Sequence, residues 1–173
     1  MTWLRDFVRE RRGLALGLVS ALFLGTYIIR HLFISITPSI SYRVLWLDDV
    51  HNARKGDYVV FRLDTRRLQG VPLPVDLKDE KGFIRAVKRL ACDEGEVISH
   101  RGPRGRDIYC GNEFLGRVKE RSHTGQMLRA LRFEGVIPPG RAYMAADNMD
   151  SFDSRYFGLV DKRDFEYRAI GLF

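Results

Sequence analysis

The stretch DNMDSFDSRYFG, residues 147–158, is the part of this chain from which the rest is best interpreted. It contains three Asp, one Asn, two Ser and one Arg. Apolar runs lie on both sides of it, at 142–146 and 157–160. Taken alone, such a stretch is typical of a solvated loop between two buried elements. Its acidic residues could also suggest a metal site or a pair of general acids, so the interpretation depends on the rest of the chain.

Composition limits the function without choosing it. The chain has 173 residues, enough for one compact domain and an appendage. Its net charge of +7 fits nucleic acid, an anionic membrane surface or an acidic partner. The sequence contains no zinc-finger spacing, no RRM-like aromatic motif and no helix-turn-helix pattern, so we predict no nucleic-acid partner.

An apolar segment near the N-terminus predicts a membrane anchor. Residues 13–29 read GLALGLVSALFLGTYII, without a charge, and the apolar run resumes at 32–34. About 20 such residues span a bilayer core, and Arg30 and His31 can snorkel to its interface. A cleavable signal peptide is the main alternative, but no small-x-small site follows. We therefore predict a transmembrane anchor at 13–34.

The charges flanking this segment predict its orientation. Four arginines precede it, within residues 5–12, whereas only Arg30 lies close on the other side. The positive-inside tendency then predicts a cytoplasmic tail at 1–12 and a domain at 35–173 on the extracytoplasmic, periplasmic side of the inner (cytoplasmic) membrane.

Two serines follow the predicted anchor. Residues 36–47 read ITPSISYRVLWL, which predicts an extended strand because β-branched and aromatic residues dominate. Side chains alternate between the faces of a strand, so Ser39 and Ser41 are expected on one face and Ile40 on the other. An ordinary half-exposed strand face would look the same.

One lysine stands out in the predicted strand GFIRAVKRL, residues 82–90. Alternation places Lys88 on a face with Ile84, Ala86 and Leu90, while Arg85, Val87 and Arg89 occupy the other, wetter face. Such a lysine usually snorkels at a sheet edge. If it is buried instead, desolvation lowers its pKa, and a neutral lysine can accept a proton.

The remaining pattern predicts a mainly β domain. Further strands are expected at 58–63, 141–145 and 164–173, a hairpin joins 97–98 to 107–109, and a short helical turn is expected at 124–131. Residues 64–82, rich in Pro, Gly and charge, read as an excursion loop. Cys92 and Cys110 lie near the open ends of the hairpin and could form a disulfide outside the cytoplasm. They have no metal-ligand spacing.

In their order along the chain, these elements resemble the S26 signal peptidase family, serine proteases with a Ser/Lys dyad. Residues 151–158, SFDSRYFG, fit the family's C-terminal motif almost position for position. Val87-Lys88-Arg89 resembles its lysine motif, and Ser39-x-Ser41 its nucleophile motif. Tyr42 stands where housekeeping members usually have Met, and Ala146 begins the motif where they have Gly. The small size and the non-Met motif look more like the TraF-type conjugal-transfer branch.

The resemblance implies a role for each site residue. Ser41 would be the nucleophile and Lys88 its general base, while Ser39 and the Ser41 backbone N–H would form the oxyanion hole. Ser151 would orient the Lys88 amine. An ion pair between Asp153 and Arg155 would hold the motif in place, although Asp153 could act directly on Lys88. Asp147 and Asn148 belong to the same supporting scaffold. The site needs no metal or cofactor.

The predicted fold class is therefore mainly β, a signal-peptidase-like β-rich catalytic domain with one N-terminal transmembrane helix. The predicted function is that of a membrane-anchored serine endopeptidase removing leader or terminal segments from exported precursors such as conjugative pilin. The alternative is a non-catalytic anchored β-domain that assists assembly of a pilus or secretion apparatus, in which Ser39, Ser41 and Lys88 are ordinary strand and surface residues.

Overall fold

The structure, a computed structural model, describes residues 2–68, 82–122, 125 and 127–173, with side chains described outside 2–13, 67 and 68. It divides into two units, Met1–Phe33 and Ile34–Phe173. The predicted excursion at 64–82 lies mostly outside the described residues. Its described beginning, Thr65–Leu68, is a short 3-10 helix.

The first unit consists mainly of one helix. Helix α1 covers Thr2–His31 and so includes both the predicted tail and most of the predicted anchor. Its segment Leu14–His31 is long and apolar enough to cross a membrane by length and composition, and none of that segment is buried. Strand β1, Leu32–Ile34, follows α1 directly.

The second unit is mainly β, as the sequence predicts. Its strands are β2 (Val44–Asp48), β3 (Tyr58–Asp64), β4 (Phe83–Cys92), β5 (Val97–Arg101), β6 (Asp107–Cys110), β7 (Glu113–Arg117), β8 (Gly135–Val136), β9 (Arg141–Ala145), β10 (Val160–Asp161) and β11 (Phe165–Gly171). The larger sheet runs β2-β11-β3-β4-β9-β10, and the smaller one runs β7-β6-β5-β8. A four-residue helix, α2 (Ser154–Phe157), lies between β9 and β10 in the chain.

The predicted strands at 58–63, 82–90, 141–145 and 164–173 are confirmed, with ends shifted by at most two residues in β3, β4 and β9. The predicted hairpin is confirmed as β5 and β6. The helical turn predicted at 124–131 is wrong for the residues described there, because Met127 forms an isolated bridge with Arg121 and 128–131 are irregular.

The strand predicted at 36–47 is wrong for residues 36–43. Only Val44–Asp48 forms a strand, and the preceding residues form a turn. Pro38 has no N–H to give to a ladder, and the Ser39 N–H donates back to the Thr37 carbonyl at 2.8 Å. The expected alternation therefore fails: Ser39 and Ile40 are both buried, whereas Ser41 is exposed.

Two apolar clusters form the core, and α2 contributes to both. One cluster contains Cys92, Cys110 and Tyr143 together with Tyr156 of α2. The other contains Phe61 and Leu90 together with Phe157 of α2. The C-terminal part of the stretch 147–158 is thus a buried element between the two clusters.

Candidate active site

Lys88 is buried in the middle of the larger sheet. It lies on β4, opposite Val59 of β3, with only 6% of its surface exposed. Among the residues that the structure describes, its Nζ makes no hydrogen bond and no ion pair. Burial lowers the pKa of Lys88 from 10.5 to about 8. The carboxylates of Asp153 and Asp147 act in the opposite direction, and Arg155 lowers the pKa further.

The lowered pKa of Lys88 makes a neutral amine available near neutral pH. A lysine with a pKa of about 8 is neutral in about a tenth of molecules at pH 7, far more often than an ordinary lysine. The neutral amine can accept a proton from a hydroxyl, which is the task of a general base. The snorkelling alternative does not fit, because a snorkelling lysine keeps its ammonium group in water.

Ser41 lies at the exposed turn before β2, and its partner is Asp147. The Ser41 backbone N–H and the Ser41 Oγ–H both donate to Asp147 Oδ2, at 2.8 Å each. The hydrogen bond from Ser41 Oγ to Lys88 Nζ that a Ser/Lys dyad requires is not made among the described residues. The carboxylate of Asp147 does, however, act electrostatically on Lys88, so the same carboxylate influences both groups.

Ser39 connects the serine turn to the stretch 147–158 through its backbone. Its carbonyl accepts the N–H groups of Asp147 and Asn148 at 3.0 and 3.4 Å. The Asn148 side chain donates to the Pro38 carbonyl at 3.0 Å. The Ser39 hydroxyl is buried and paired with Thr37 Oγ1 at 2.8 Å. Ser39 and Ser41 therefore do not present their hydroxyls on one strand face, as the sequence led us to expect.

Asp153 and Arg155 form a fully buried ion pair. Arg155 Nε donates to Asp153 Oδ1 at 2.7 Å and Nη2 donates to Oδ2 at 2.9 Å, with each side chain 1% exposed. Asp153 also caps α2 and accepts the N–H of Ala146. The other three guanidinium donors bond the carbonyls of Arg117, Met149 and Ser151. Buried charges need such complete partnering, so this pair fixes the conformation of the stretch.

Ser151 contributes through its backbone rather than its hydroxyl. Its N–H donates to the Asn148 carbonyl at 3.0 Å, and its carbonyl accepts from Arg155. Among the described residues, no hydrogen bond joins Ser151 Oγ to Lys88 Nζ. Within the described stretch 147–158, Ser154 makes a buried side-chain contact instead, because its Oγ accepts the N–H of Met144 on β9 at 2.8 Å.

Cys92 of β4 and Cys110 of β6 are joined in a disulfide, with their Cα atoms 5.7 Å apart. Glu96 lies close enough for a three-residue metal site with the two sulfurs. Because the sulfurs are bonded to each other, they offer no thiolate to a metal.

Tyr58 is a site residue that the sequence did not indicate. Its hydroxyl donates to Asp147 Oδ2 at 2.6 Å, and burial followed by the Asp147 hydrogen bond raises the pKa of Tyr58 to about 12. Tyr58 and Asp147 are 89 residues apart, so only the register of β3 with β4, which pairs Tyr58 with Arg89, could have placed it here.

Comparisons with known proteins identify the family of this chain. The sequence model of the family described as "Signal peptidase, peptidase S26" matches residues 12–172. A crystal structure of a signal peptidase I from Enterococcus faecalis V583 is similar to this chain, with 22% identity and a TM-score of 0.40, over 70% of this chain and 97% of that one. No curated protein sequence matches significantly. Since the family match covers almost the whole chain, the protein belongs to the signal peptidase family, peptidase S26, a family of serine peptidases.

Proposed function

We propose that this protein is a membrane-anchored serine endopeptidase in which Ser41 is the nucleophile and Lys88 the general base. The observation that carries the proposal is the burial of Lys88 without a hydrogen-bonded partner among the described residues, which lowers its pKa to about 8. Burying an unpaired lysine is unfavourable for folding. A neutral amine able to take a proton is the function that accounts for it.

The proposed reaction proceeds through an acyl-enzyme. Neutral Lys88 takes the Oγ–H proton as Ser41 Oγ bonds to the scissile carbonyl carbon, and the carbonyl electron pair moves to oxygen. The Ser41 N–H stabilises that oxyanion. The Ser39 hydroxyl would be the second donor after turning away from Thr37. Collapse breaks the C–N bond, and Lys88 returns the proton to the leaving amine. Water or an internal amine then takes the acyl group.

The proposed substrates are exported precursors, and the proposed branch is the conjugal-transfer one, with pilin-like precursors. Its support is the Ser39-Ile40-Ser41-Tyr42 sequence, which lacks the Met of housekeeping enzymes, and the small second unit. Helix α1 would anchor the enzyme in the inner membrane, with residues 1–12 in the cytoplasm. Tethering would then present the site to cleavage sites at a matching height above the bilayer.

Ser41→Ala and Lys88→Arg test the dyad. Both should abolish cleavage of the precursor, because alanine has no nucleophile and arginine does not give up its proton near neutral pH. Lys162→Arg is the matched control, since Lys162 is a partly exposed lysine paired with Asp93 and Glu94. Precursor processing is followed in membranes that contain equal amounts of each variant. Normal processing by Ser41→Ala would rule out the proposed mechanism.

Mass spectrometry of the mature product tests the branch. A conjugative pilin trimmed at its terminus identifies the substrate class. A product lighter than the trimmed chain by one water identifies transfer of the acyl group to an internal amine. A processed secretory preprotein with unprocessed pilin would instead place the enzyme among the housekeeping peptidases.

A further inference from the structure

One carboxylate oxygen accepts hydrogen bonds from both Ser41 donors that the proposed reaction needs. Asp147 Oδ2 accepts the Ser41 N–H and the Ser41 Oγ–H, each at 2.8 Å. During acylation the N–H has to donate to the substrate oxyanion and the hydroxyl has to face Lys88. Neither donor is available while the carboxylate remains in place. The negative charge of Asp147 would also repel the oxyanion that forms there.

The carboxylate is held in this position from other sides as well. The Tyr58 hydroxyl donates to the same Oδ2 at 2.6 Å, so this oxygen accepts three hydrogen bonds. Arg89 Nε lies 3.8 Å from Oδ1. The Asp147 backbone N–H is fixed on the Ser39 carbonyl. If the carboxylate leaves Ser41, its side chain can rotate towards Arg89 while the Asp147 backbone stays bonded to the Ser39 carbonyl.

Tyr58 also packs against Tyr42, the residue that follows Ser41 in the sequence. The rings of Tyr58 and Tyr42 meet edge to face, with centroids 5.8 Å apart. The Tyr42 ring covers Gly171 of β11 so closely that a Cβ at position 171 would overlap it. Tyr58 thus supports the serine turn on one side with its ring and holds Asp147 on the other with its hydroxyl.

We propose that Asp147 fills the oxyanion position of the resting enzyme until a substrate carbonyl displaces it, and that Tyr58 sets how firmly it is held. This inference rests on the proposed function, because it concerns the reactivity of Ser41. One N–H cannot serve both oxygens at full strength, so binding of the carbonyl and departure of the carboxylate are coupled. Departure also frees the Ser41 hydroxyl to turn towards Lys88.

The charge of Asp147 provides a second, independent readout. Among the residues that the structure describes, the charged groups that act on Lys88 are Asp153, Arg155 and Asp147. Asp147 raises the pKa of Lys88, whereas burial and Arg155 lower it. A neutral residue at 147 should therefore leave more of Lys88 unprotonated at a given pH. The acidic limb of the acylation rate, which rises as Lys88 loses its proton, should then move to lower pH.

Asp147→Asn in the full chain, in detergent micelles, tests the inference. Acylation of Ser41 by an activated peptidyl ester is followed in a single turnover by intact mass. We expect acylation about fivefold faster, the size expected when a charged hydrogen bond becomes a neutral one, with the acidic limb at lower pH. Asp150→Asn, on the same loop and exposed, removes the same charge and should change neither the rate nor the limb.

Tyr58→Phe tests the holding role and remains informative if Asp147→Asn folds poorly. The ring contact with Tyr42 stays while the hydroxyl donor is lost, so acylation should again be faster, by a smaller factor. Tyr167→Phe, which removes the hydroxyl of an exposed tyrosine on β11, is its control. Slower acylation in either site variant would overturn the inference, since Asp147 would then support the reaction. Acylation of Ser41→Ala at the rate of the unmodified protein would instead overturn the proposed function itself.

Discussion

The burial of Lys88 destabilises the folded state, although the proposed reaction needs a buried lysine at this position. Its folded-state pKa of about 8 lies below its ordinary 10.5. Between these two pH values the unfolded chain binds more protons than the folded one, so stability rises with pH across that window. Below about pH 8 the full penalty applies, on the order of 3 kcal/mol.

Lys88→Met should therefore separate activity from stability. Methionine has a similar length and no charge, so we expect cleavage to be lost while the free energy of unfolding increases by about 3 kcal/mol near neutral pH. The rise of stability between pH 8 and 10.5 should disappear. Denaturant unfolding at several pH values measures both effects. Lys162→Met is the control, because its charge is paired with Asp93 and Glu94 at the surface. A destabilised Lys88→Met would contradict the assignment of an unpaired buried charge.

The two residues of the proposed dyad differ in how much of their structural surroundings the sequence predicts. The position of Lys88 follows from the alternation in residues 82–90, because period-two patterning applies within a single strand. The partner of Ser41 lies 106 residues away. No local pattern contains that contact, so the sequence indicates the serine and not the carboxylate that bonds it.

The conformation of the stretch 147–158 is fixed by Asp153 and Arg155, two charged residues that the sequence alone would place at the surface. All four residues of α2 are buried, and Asp153 caps the helix. The resemblance to a known motif predicts the Asp153–Arg155 pair, whereas composition alone predicts a solvated loop. Composition misleads here because the guanidinium uses all its donors inside the protein, which makes burial of the charge possible.

The chain contains a matched control for this pair. Asp161 and Arg163 repeat the same Asp-x-Arg geometry, with Nε and Nη2 donating to the two carboxylate oxygens. The Arg163 side chain is 88% exposed, whereas that of Arg155 is 1% exposed. We expect Arg155→Leu to destabilise the protein by about 3–5 kcal/mol, since it leaves a buried carboxylate uncompensated. Arg163→Leu should change stability by less than about 1 kcal/mol. Equal decreases in the thermal unfolding midpoint of the two variants would show that burial does not determine how much such an ion pair stabilises the protein.

The turn before β2 shows where strand patterning stops being informative. Residues 36–47 have strand-like composition, but Pro38 interrupts the possible ladder and the segment bonds Asp147 and Asn148 instead. A tertiary contact replaces the sheet hydrogen bonds. In β4 the alternation groups Lys88 with the buried Leu90, although Val87, expected on the wetter face, is buried as well. For Ser39 and Ser41 the alternation is wrong for the reason just given.

The disulfide connects the two sheets of the second unit. Cys92 is the last residue of β4 in the larger sheet, and Cys110 is the last of β6 in the smaller one. It closes a loop of 18 residues. In the chain-entropy account, a loop of this size stabilises the folded state by about 3 kcal/mol.

Reduction should therefore lower stability with the fold retained at moderate temperature. We expect a reductant to decrease the free energy of unfolding by about 3 kcal/mol. The double variant Cys92→Ser with Cys110→Ser should match the reduced protein and should not respond to the reductant. Thermal unfolding with and without reductant measures the difference. Identical unfolding midpoints for the oxidised and reduced protein would mean that the interface between the sheets does not depend on the bond.

The first unit accounts for the proposed setting of the enzyme, and its role can be tested apart from the chemistry. The segment Leu14–His31 is exposed and apolar, which a water-soluble chain tends to avoid over so large a surface. Arginine near the middle of a membrane span opposes insertion by about 2.5–3.5 kcal/mol per residue, whereas near its end arginine can snorkel to the interface.

Leu18→Arg combined with Leu22→Arg should release the protein from membranes on alkaline extraction. Leu14→Arg, beside Arg11 and Arg12 at the end of the apolar run, should leave it in the membrane fraction. Because Ser41 and Lys88 lie in the second unit, the released double variant should still be acylated by a small soluble ester, while cleavage of a membrane-embedded precursor falls. Retention of the double variant in extracted membranes would mean that the attachment does not depend on α1.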